Sequence, residues 1–552
     1  WRIIPALRLQ GRFSYTRQFD RRDLFKSPES LDYSTETDPK KKGSYYLVNS
    51  RSDRFDGNLT LAYNKTIDKH MLNVGVGSNI MQSETEGESF TGVGFINPDM
   101  IFIGAANAFQ ENTSPQGTYD KSRLVGFFTN VNYGYGNRYF LDFSFRSDGS
   151  SKFGRNSRFA PFWSLGVAWN VHNESFWHAH EKNALKLRAS VGSTGTTNFS
   201  STQALTTYLY DFSREYNGNF GVSLAGYGNS SLKWQTTLAY NVGVDFTFLH
   251  GLVVFNGDFY IKNTRSLLLP VTVAPSTGFI DYVENIGKLR NTGVEARLRF
   301  NLIQDAVKDL RWNVTLSAFH NRSKITQLSN QLETINQYAN DDRANQGTVV
   351  YRQFEAGRSQ TALMVVRSGG IDPATGNEIY IKRNGEMTFE YNHNDKIECG
   401  DMKPKIEGNV NTNLNWKGFN LYMLFKYQYG GKIYNATLAS KVEGANPLKN
   451  ADKRVLYDRW KEPGDHAKFR RIDDTSAPYQ TTRLVFDNNL LALQSVSLSY
   501  ELPRKISQKM YMERVKLLLS STDLFRLSSV KQERGTSYPF ARTFSIGLNV
   551  TF

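Results

Sequence analysis

The sequence predicts an all-β fold, a transmembrane antiparallel β-barrel with about 16 strands present. Three observations predict it. Apolar and polar residues alternate with a period of two in segment after segment. The connections between these segments alternate short and long. No stretch approaches the 18 or more apolar residues of a spanning helix. A barrel strand needs only one apolar face, towards lipid, while its other face can be wet.

Sixteen amphipathic segments are expected, near residues 6–18, 54–66, 69–84, 121–136, 137–148, 158–171, 184–194, 232–248, 251–264, 289–303, 309–322, 404–416, 418–431, 488–500, 512–524 and 541–552. In Leu252–Lys262, Val253, Phe255, Phe259 and Ile261 oppose Asn256, Asp258, Tyr260 and Lys262. In Val294–Leu302, five apolar positions oppose Glu295, Arg297, Arg299 and Asn301. One face of Glu407–Trp416 carries Glu407, Asn409, Asn411, Asn413 and Asn415. The last ten residues set Phe544, Ile546, Leu548, Val550 and Phe552 against Thr543, Ser545, Gly547, Asn549 and Thr551. A soluble sandwich also alternates, but rarely with so many charged and amide groups on one face.

Short connections fall at Thr66–Lys69, Tyr135–Arg138, His250–Gly251, Gln304–Lys308, Trp416–Gly418 and Leu502–Gln508. Long ones fall at 19–53, 85–120, 195–231, 266–288, 323–403, 432–487 and 525–540, with a compact one at 149–157. Short periplasmic turns and long external loops are the rule for outer-membrane barrels, and on it both chain ends face the periplasm. His172–Asn183 and Asn450–Trp460 are expected to hold short helices, and Gly370–Phe389 a β-hairpin. No domain boundary interrupts 1–552.

Composition agrees. A mean hydropathy of −0.49 fits strands that are half polar and loops that are polar, and 37 Phe with 29 Tyr suit aromatic girdles. The net charge of +15 raises nucleic acid as a partner. The charge is spread along strands and loops without a basic helix, which favours anionic headgroups of outer-membrane lipid and lipopolysaccharide, or a positive lumen. A lone Cys399, in a polar loop, excludes a disulfide framework within the chain.

Motifs for chemistry are sparse. His178, His180 and Glu181 lack the i, i+4 spacing of a zinc helix. Gly430–Lys432 lacks the upstream glycine of a phosphate loop. Arg146–Arg155 reads as a tight hairpin tip. Asp372, Asp395, Glu398 and Asp401 offer ligands for Ca²⁺ in an outer loop, against the plainer reading of solvated acids. No nucleophile motif is found, so no enzyme and no cofactor is expected. If Leu, Val and Phe face lipid, then Arg8, Arg12, Lys186, Arg188, Arg297 and Arg299 face the lumen. There they either attract an anionic solute or an acidic plug, or pair across strands with Asp142, Asp245, Asp258 and Glu295. The segment Thr207–Phe220 carries Tyr208, Tyr210, Phe212 and Tyr216, suited to stacking on sugars or peptide side chains, or to packing the loop on its neighbours.

Several segments together resemble one family, the SusC/RagA-like TonB-dependent outer-membrane transporters of Bacteroidetes. They are Phe145–Asn170, Leu185–Gly195, Leu232–Thr237, Asp258–Thr264, Asn285–Glu295, Gly370–Gly376, Tyr429–Asn435 and the closing strand. The resemblance implies a barrel of about 22 strands with a plugged lumen, of which this chain looks like the C-terminal part. The plug, the TonB-contacting segment and about six strands are then expected before Trp1. It further implies TonB-dependent import of an oligosaccharide or peptide, a SusD-like surface lipoprotein as lid, and no catalysis. The shared motif residues look structural. A complete sixteen-stranded passive porin, or an outer-membrane enzyme or adhesin, are the competing readings.

Overall fold

The computed structural model describes residues 1–111, 113, 115–154, 157–178, 183–197, 203–217, 219–226, 228–272, 281–285, 287–328, 354–445, 452–474, 476–530 and 542–552. All sixteen expected strands are present. They are β1 (Leu7–Lys26), β2 (Ser44–Ile67), β3 (His70–Val93), β4 (Gln116–Tyr135), β5 (Tyr139–Ser150), β6 (Phe159–Asn170), β7 (Ala184–Thr196) and β8 (Gln235–Phe248). Then follow β9 (Val253–Arg265), β10 (Lys288–Asp305), β11 (Leu310–Gln327), β12 (Ile406–Trp416), β13 (Phe419–Tyr429), β14 (Leu490–Glu501), β15 (Arg514–Ser528) and β16 (Thr543–Thr551). The chain divides into two compact units: residues 1–167, 191–238 and 266–286, and residues 168–190, 239–265 and 287–552.

In the first unit, β1 to β5 form one antiparallel meander, each strand paired with the next. Gly136 and Asn137, at φ 58° and 55°, make the tight turn between β4 and β5, with the backbone twist that suits a two-residue hairpin. Four strands are much longer than expected: β1 and β4 have 20 residues, β2 and β3 have 24. A membrane crossing needs only about 9–11 tilted residues, so these strands continue well past an apolar band. The register shows why the sequence hid the extension. One face runs through Leu9, Leu61 and Val76, then Phe13 and Ile80, then Tyr15 and Phe55. Beyond these rows it turns ionic: Arg17 pairs with Asp53 at 2.6 Å, Arg51 with Glu86 at 3.1 Å and Lys121 with Glu84 at 2.7 Å. The backbone ladder persists while the apolar period-two signal stops. The expected long connections 19–53 and 85–120 therefore shrink to 27–43 and 94–115, the latter with a two-residue strand at Ala108–Phe109.

The family-like motifs of this unit meet in one core. Phe153, Phe162, Leu232 and Trp234 are buried together. Trp234 stacks on Phe153 at 4.7 Å and meets Phe162 edge-on at 5.3 Å, and its indole N–H donates to the Arg158 carbonyl at 3.0 Å. A Cβ at Gly154 would sit 1.7 Å from the Ser230 carbonyl oxygen, so only glycine fits there. Asn285 clamps Lys233 from both sides, accepting from its N–H at 2.8 Å and donating to its carbonyl at 2.7 Å. The segment 207–226 is a β-hairpin, Thr207–Tyr216 with Asn219–Gly226.

In the second unit, β9–β10–β11–β12–β13–β14–β15–β16 pair in sequence, all antiparallel. The apolar face is exposed, as a lipid-facing surface would be. Phe544, Ile546 and Leu548 of β16 are 71%, 79% and 65% exposed. The turn at 502–513 carries a six-residue helix, Arg504–Lys509. The expected helix at Asn450–Trp460 is shorter than anticipated, Arg454–Tyr457, with residues 450 and 451 outside the described part. Within His172–Asn183 the described helical structure is a single 3₁₀ turn, Val171–Asn173.

Candidate functional site

The polar face of β7 to β11 gathers charge. Arg188 of β7 holds two carboxylates at once. Its Nε and Nη2 donate to Asp245 at 2.8 and 3.0 Å, and its Nη1 and Nη2 donate to Asp258 at 3.0 and 3.2 Å. Asn256 adds a donor to Asp245 at 2.8 Å. The arrangement depends on Gly243, where a Cβ would lie 2.5 Å from an Asp258 oxygen and 2.7 Å from the Arg188 guanidinium carbon. Bidentate pairing fixes a guanidinium in orientation as well as position. Around it lies an open groove of about 590 Å³, lined among others by Glu295, Arg297, Phe319 and Asn411.

The expected lumen residues separate into groups. Arg188 follows the cross-strand reading, since its donors are committed to Asp245 and Asp258. Arg297 and Arg299 lie on the same face of β10 as Glu295, which stands opposite Asp258, and neither forms an ion pair among the described residues. Lys186 lies two residues from Arg188 on β7. Arg8 and Arg12 belong to the first unit, on the β1 face opposite Leu9 and Phe13, and are exposed. Of the aromatic candidates, Tyr208 is 65% exposed on the 207–226 hairpin. The side chains of Tyr210, Phe212 and Tyr216 lie outside the described residues, as do His180 and Glu181.

A second cluster has no signature in the sequence. The expected loops 323–403 and 432–487 contain a folded insert. Its sheet joins Ala362–Ile371 with Glu378–Ile381 and Lys396–Asp401, and Glu378–Ile381 with Met387–Thr388. The expected hairpin Gly370–Phe389 is part of it. Glu443, with no exposed side-chain surface, accepts from Arg470 at 3.0 Å and Arg483 at 2.7 Å. Arg483 also binds Glu378 at 2.9 Å, and Thr481 donates to Glu378 at 2.7 Å. Arg459 donates to the Val442 and Glu443 carbonyls at 2.5 and 2.7 Å, and burial lowers its pKa. Tyr391 stacks on Tyr479 at 4.1 Å. Six charges and polar atoms taken from more than a hundred residues of chain form no local motif, so no spacing rule reveals them.

The four acids that offer ligands for Ca²⁺ each have other partners. Asp372 accepts from the N–H of Ala374 and Thr375 and from the Thr375 hydroxyl, which holds its carboxyl below the usual range. Asp395 accepts from the Arg383 N–H, Asp401 from the Thr361 hydroxyl, and Glu398 faces Arg358 at 3.8 Å. No group of three metal-binding side chains occurs among the described residues. Cys399 is half-buried rather than solvent-facing. Its thiol donates to the Leu363 carbonyl at 3.3 Å, and burial pushes its pKa up to about 11.

Comparison with known proteins agrees with this architecture. The TonB-dependent receptor P3 of Formosa agariphila is 26% identical over 536 residues, covering 89% of this chain and 52% of the relative. The TonB-dependent receptor SusC of Bacteroides thetaiotaomicron is 27% identical over 333 residues, 58% of this chain and 32% of the relative. The chain thus spans about half the length of the first of these relatives and a third of the second. Among solved structures, the RagAB peptide transporter superposes with a TM-score of 0.85 at 22% identity, covering all of this chain and 60% of that one. The Escherichia coli outer-membrane transporter YddB gives 0.51 at 11% identity, over 94% of this chain and 57% of that one. The profile of the TonB dependent receptor-like beta-barrel family matches residues 1–382, and with the strand ladders described above it makes this chain a member of that family.

Proposed function

We propose that this chain forms most of the barrel wall and the external loops of an outer-membrane, TonB-dependent importer of SusC/RagA type. The cargo is a large polar nutrient, an oligosaccharide or a peptide. A SusD-like surface lipoprotein closes the external face, and the TonB complex supplies energy through a segment outside this chain. The chain itself carries no catalytic role. The observation that carries this reading is the pairing of an exposed apolar face with a polar, charge-bearing face along the same strands, in a chain of this family.

In this reading Arg8, Arg12, Lys186, Arg188, Arg297 and Arg299 line the lumen. Arg188 is a structural brace there, because its donors are satisfied. Arg297 and Arg299 remain available to cargo. The hairpin bearing Tyr208, Tyr210, Phe212 and Tyr216 meets cargo from the external side, where aromatic faces stack on sugar rings or peptide side chains.

The test is purification of the full-length gene product from its native membrane. Co-purification of a surface lipoprotein, and uptake that stops when the inner-membrane proton gradient is collapsed, are expected. Steady ion conductance from this chain alone, with uptake indifferent to the gradient, would overturn the reading in favour of a passive sixteen-stranded porin.

A further inference from the structure

The apolar-side face of β9, β10 and β11 ends abruptly. Row by row across the three strands it reads Phe255, Leu298, Leu316; then Gly257, Ala296, Ala318; then Phe259, Val294, His320. The next rows read Ile261, Thr292, Arg322; Asn263, Arg290, Lys324; and Arg265, Lys288, Gln327. Five cations therefore occupy three successive rows, and no acid shares these rows. Arg290 stands directly opposite Lys324, and Arg265 directly opposite Lys288. Directly opposed like charges destabilise a sheet, with Cβ atoms only about 5 Å apart.

The end of β11 adds to this field. A cavity of about 680 Å³ brings Lys403 and Lys405 beside His320, Arg322 and Lys324. Its acids are otherwise engaged. Asp487 pairs with Lys432 at 2.6 Å, Asp401 accepts from Thr361 at 2.5 Å and from the Lys403 N–H at 2.9 Å, and Glu398 faces Arg358. Arg322, Lys324, Lys403 and Lys405 have no acidic partner among the described residues. The first unit shows the alternative. There the face beyond the apolar rows is neutralised within the sheet, by Arg17–Asp53, Arg51–Glu86 and Lys121–Glu84. The same fold thus builds a self-paired surface in one place and an uncompensated cationic one in another.

We infer that the cationic rows Arg265, Lys288, Arg290, Arg322 and Lys324 are a binding site for the phosphate groups of an outer-leaflet glycolipid. The acyl chains of this lipid lie on the Phe255–Phe259 and Val294–Leu298 rows directly below. The inference rests on the membrane reading proposed above and deepens it, turning a general contact with lipid into a specific one. Charge decides the headgroup chemistry, and continuity with the apolar rows decides that the phosphate is attached to a lipid. Each cation near an anionic headgroup contributes enough to make three of them worth roughly a hundred-fold in affinity.

The test uses full-length protein in nanodiscs containing about one lipid in ten of phosphorylated lipid A, with its dephosphorylated form in parallel. Bound lipid is counted by native mass spectrometry. The wild type is expected to retain the phosphorylated lipid and not the dephosphorylated one. The R290Q/R322Q/K324Q variant is expected to lose roughly a hundred-fold of that retention, while R290K keeps it and R17Q in the self-paired belt leaves it unchanged. Heat-modifiable gel mobility verifies that each variant is folded. Equal retention by the triple variant, equal binding of the dephosphorylated lipid, or displacement of the lipid by millimolar inorganic phosphate would each overturn the inference. Failure of the membrane reading registers separately, as loss of quenching by chain-labelled lipid of a probe at position 298 in the wild-type background.

Discussion

Glu443 sits where three guanidinium groups converge, and neutralising it is the sharpest available perturbation of the folded insert. Its side chain has no exposed surface, while Arg470 and Arg483 are 6% and 12% exposed. In Glu443→Gln the volume is kept and the amide still accepts one hydrogen bond. The negative charge between Arg470 and Arg483 is gone, and Arg459, itself buried, already opposes them. Glu378 still serves Arg483 at 2.9 Å and Asp474 still serves Arg470 at 2.5 Å, so the net change is one uncompensated buried charge. Removing one member of a buried pair typically costs about 3–5 kcal/mol, or roughly two to four orders of magnitude in the local opening equilibrium. Hydrogen exchange at the buried strand Leu363–Val366 reads that equilibrium directly. Protection there should fall by that factor, while the amides of β10 and β11 keep theirs. In an Arg470→Met background the same substitution should cost less, by a coupling of about 0.5–3 kcal/mol. Unchanged protection of 363–366 in the single variant would refute the claim that this network holds the insert together.

Three further outcomes follow from the same structure. Lys396 is 2% exposed and burial lowers its pKa to about 8, against an ordinary value of 10.5. Its depressed native pKa means the unfolded chain binds more protons between these values. The insert should therefore gain stability as pH rises from about 8 to 10.5, by up to ~3 kcal/mol; Lys396→Met should flatten this rise, and proteolysis rates of the insert against pH will show either. Gly154→Ala places a Cβ 1.7 Å from the Ser230 carbonyl oxygen and should cost about 1–3 kcal/mol, seen as a lower unfolding temperature of the purified protein. Cys399, with its pKa near 11 and its thiol bonded to Leu363, should resist maleimide at pH 7 and react only when the insert is unfolded; rapid labelling of native protein would contradict its placement.

The strands were legible because a lipid-facing wall imposes a period of two on every crossing, and β10 obeys it from Val294 to Leu302 without a break. Their full lengths were not, because beyond Tyr15 and Phe55 the outer face is built of ion pairs whose partners, such as Arg17 and Asp53, are 36 residues apart. Of the insert only the Gly370–Phe389 hairpin is legible, because Ala362-Leu363-Met364-Val365-Val366 is buried on both faces and so does not alternate. Its charged core was invisible for a related reason, since Glu378, Glu443, Arg470 and Arg483 meet only in three dimensions. The alternation of β7 marks Arg188 as a polar-face residue with Asp245 and Asp258 as candidate partners, but the choice between free cation and brace depends on the fold, which brings a carboxylate from β8 and another from β9 to the same guanidinium.

Strand β10 is the place to measure whether one face of these strands meets lipid and the other meets water. Single cysteines placed in turn at residues 294 to 300 of the reconstituted full-length protein, each carrying an environment-sensitive fluorophore, report both sides. Quenching by chain-labelled lipid should peak at 294, 296, 298 and 300, and quenching by aqueous iodide at 295, 297 and 299. Uniform aqueous access along the segment, or lipid contact at Arg297 and Arg299 instead, would contradict the account.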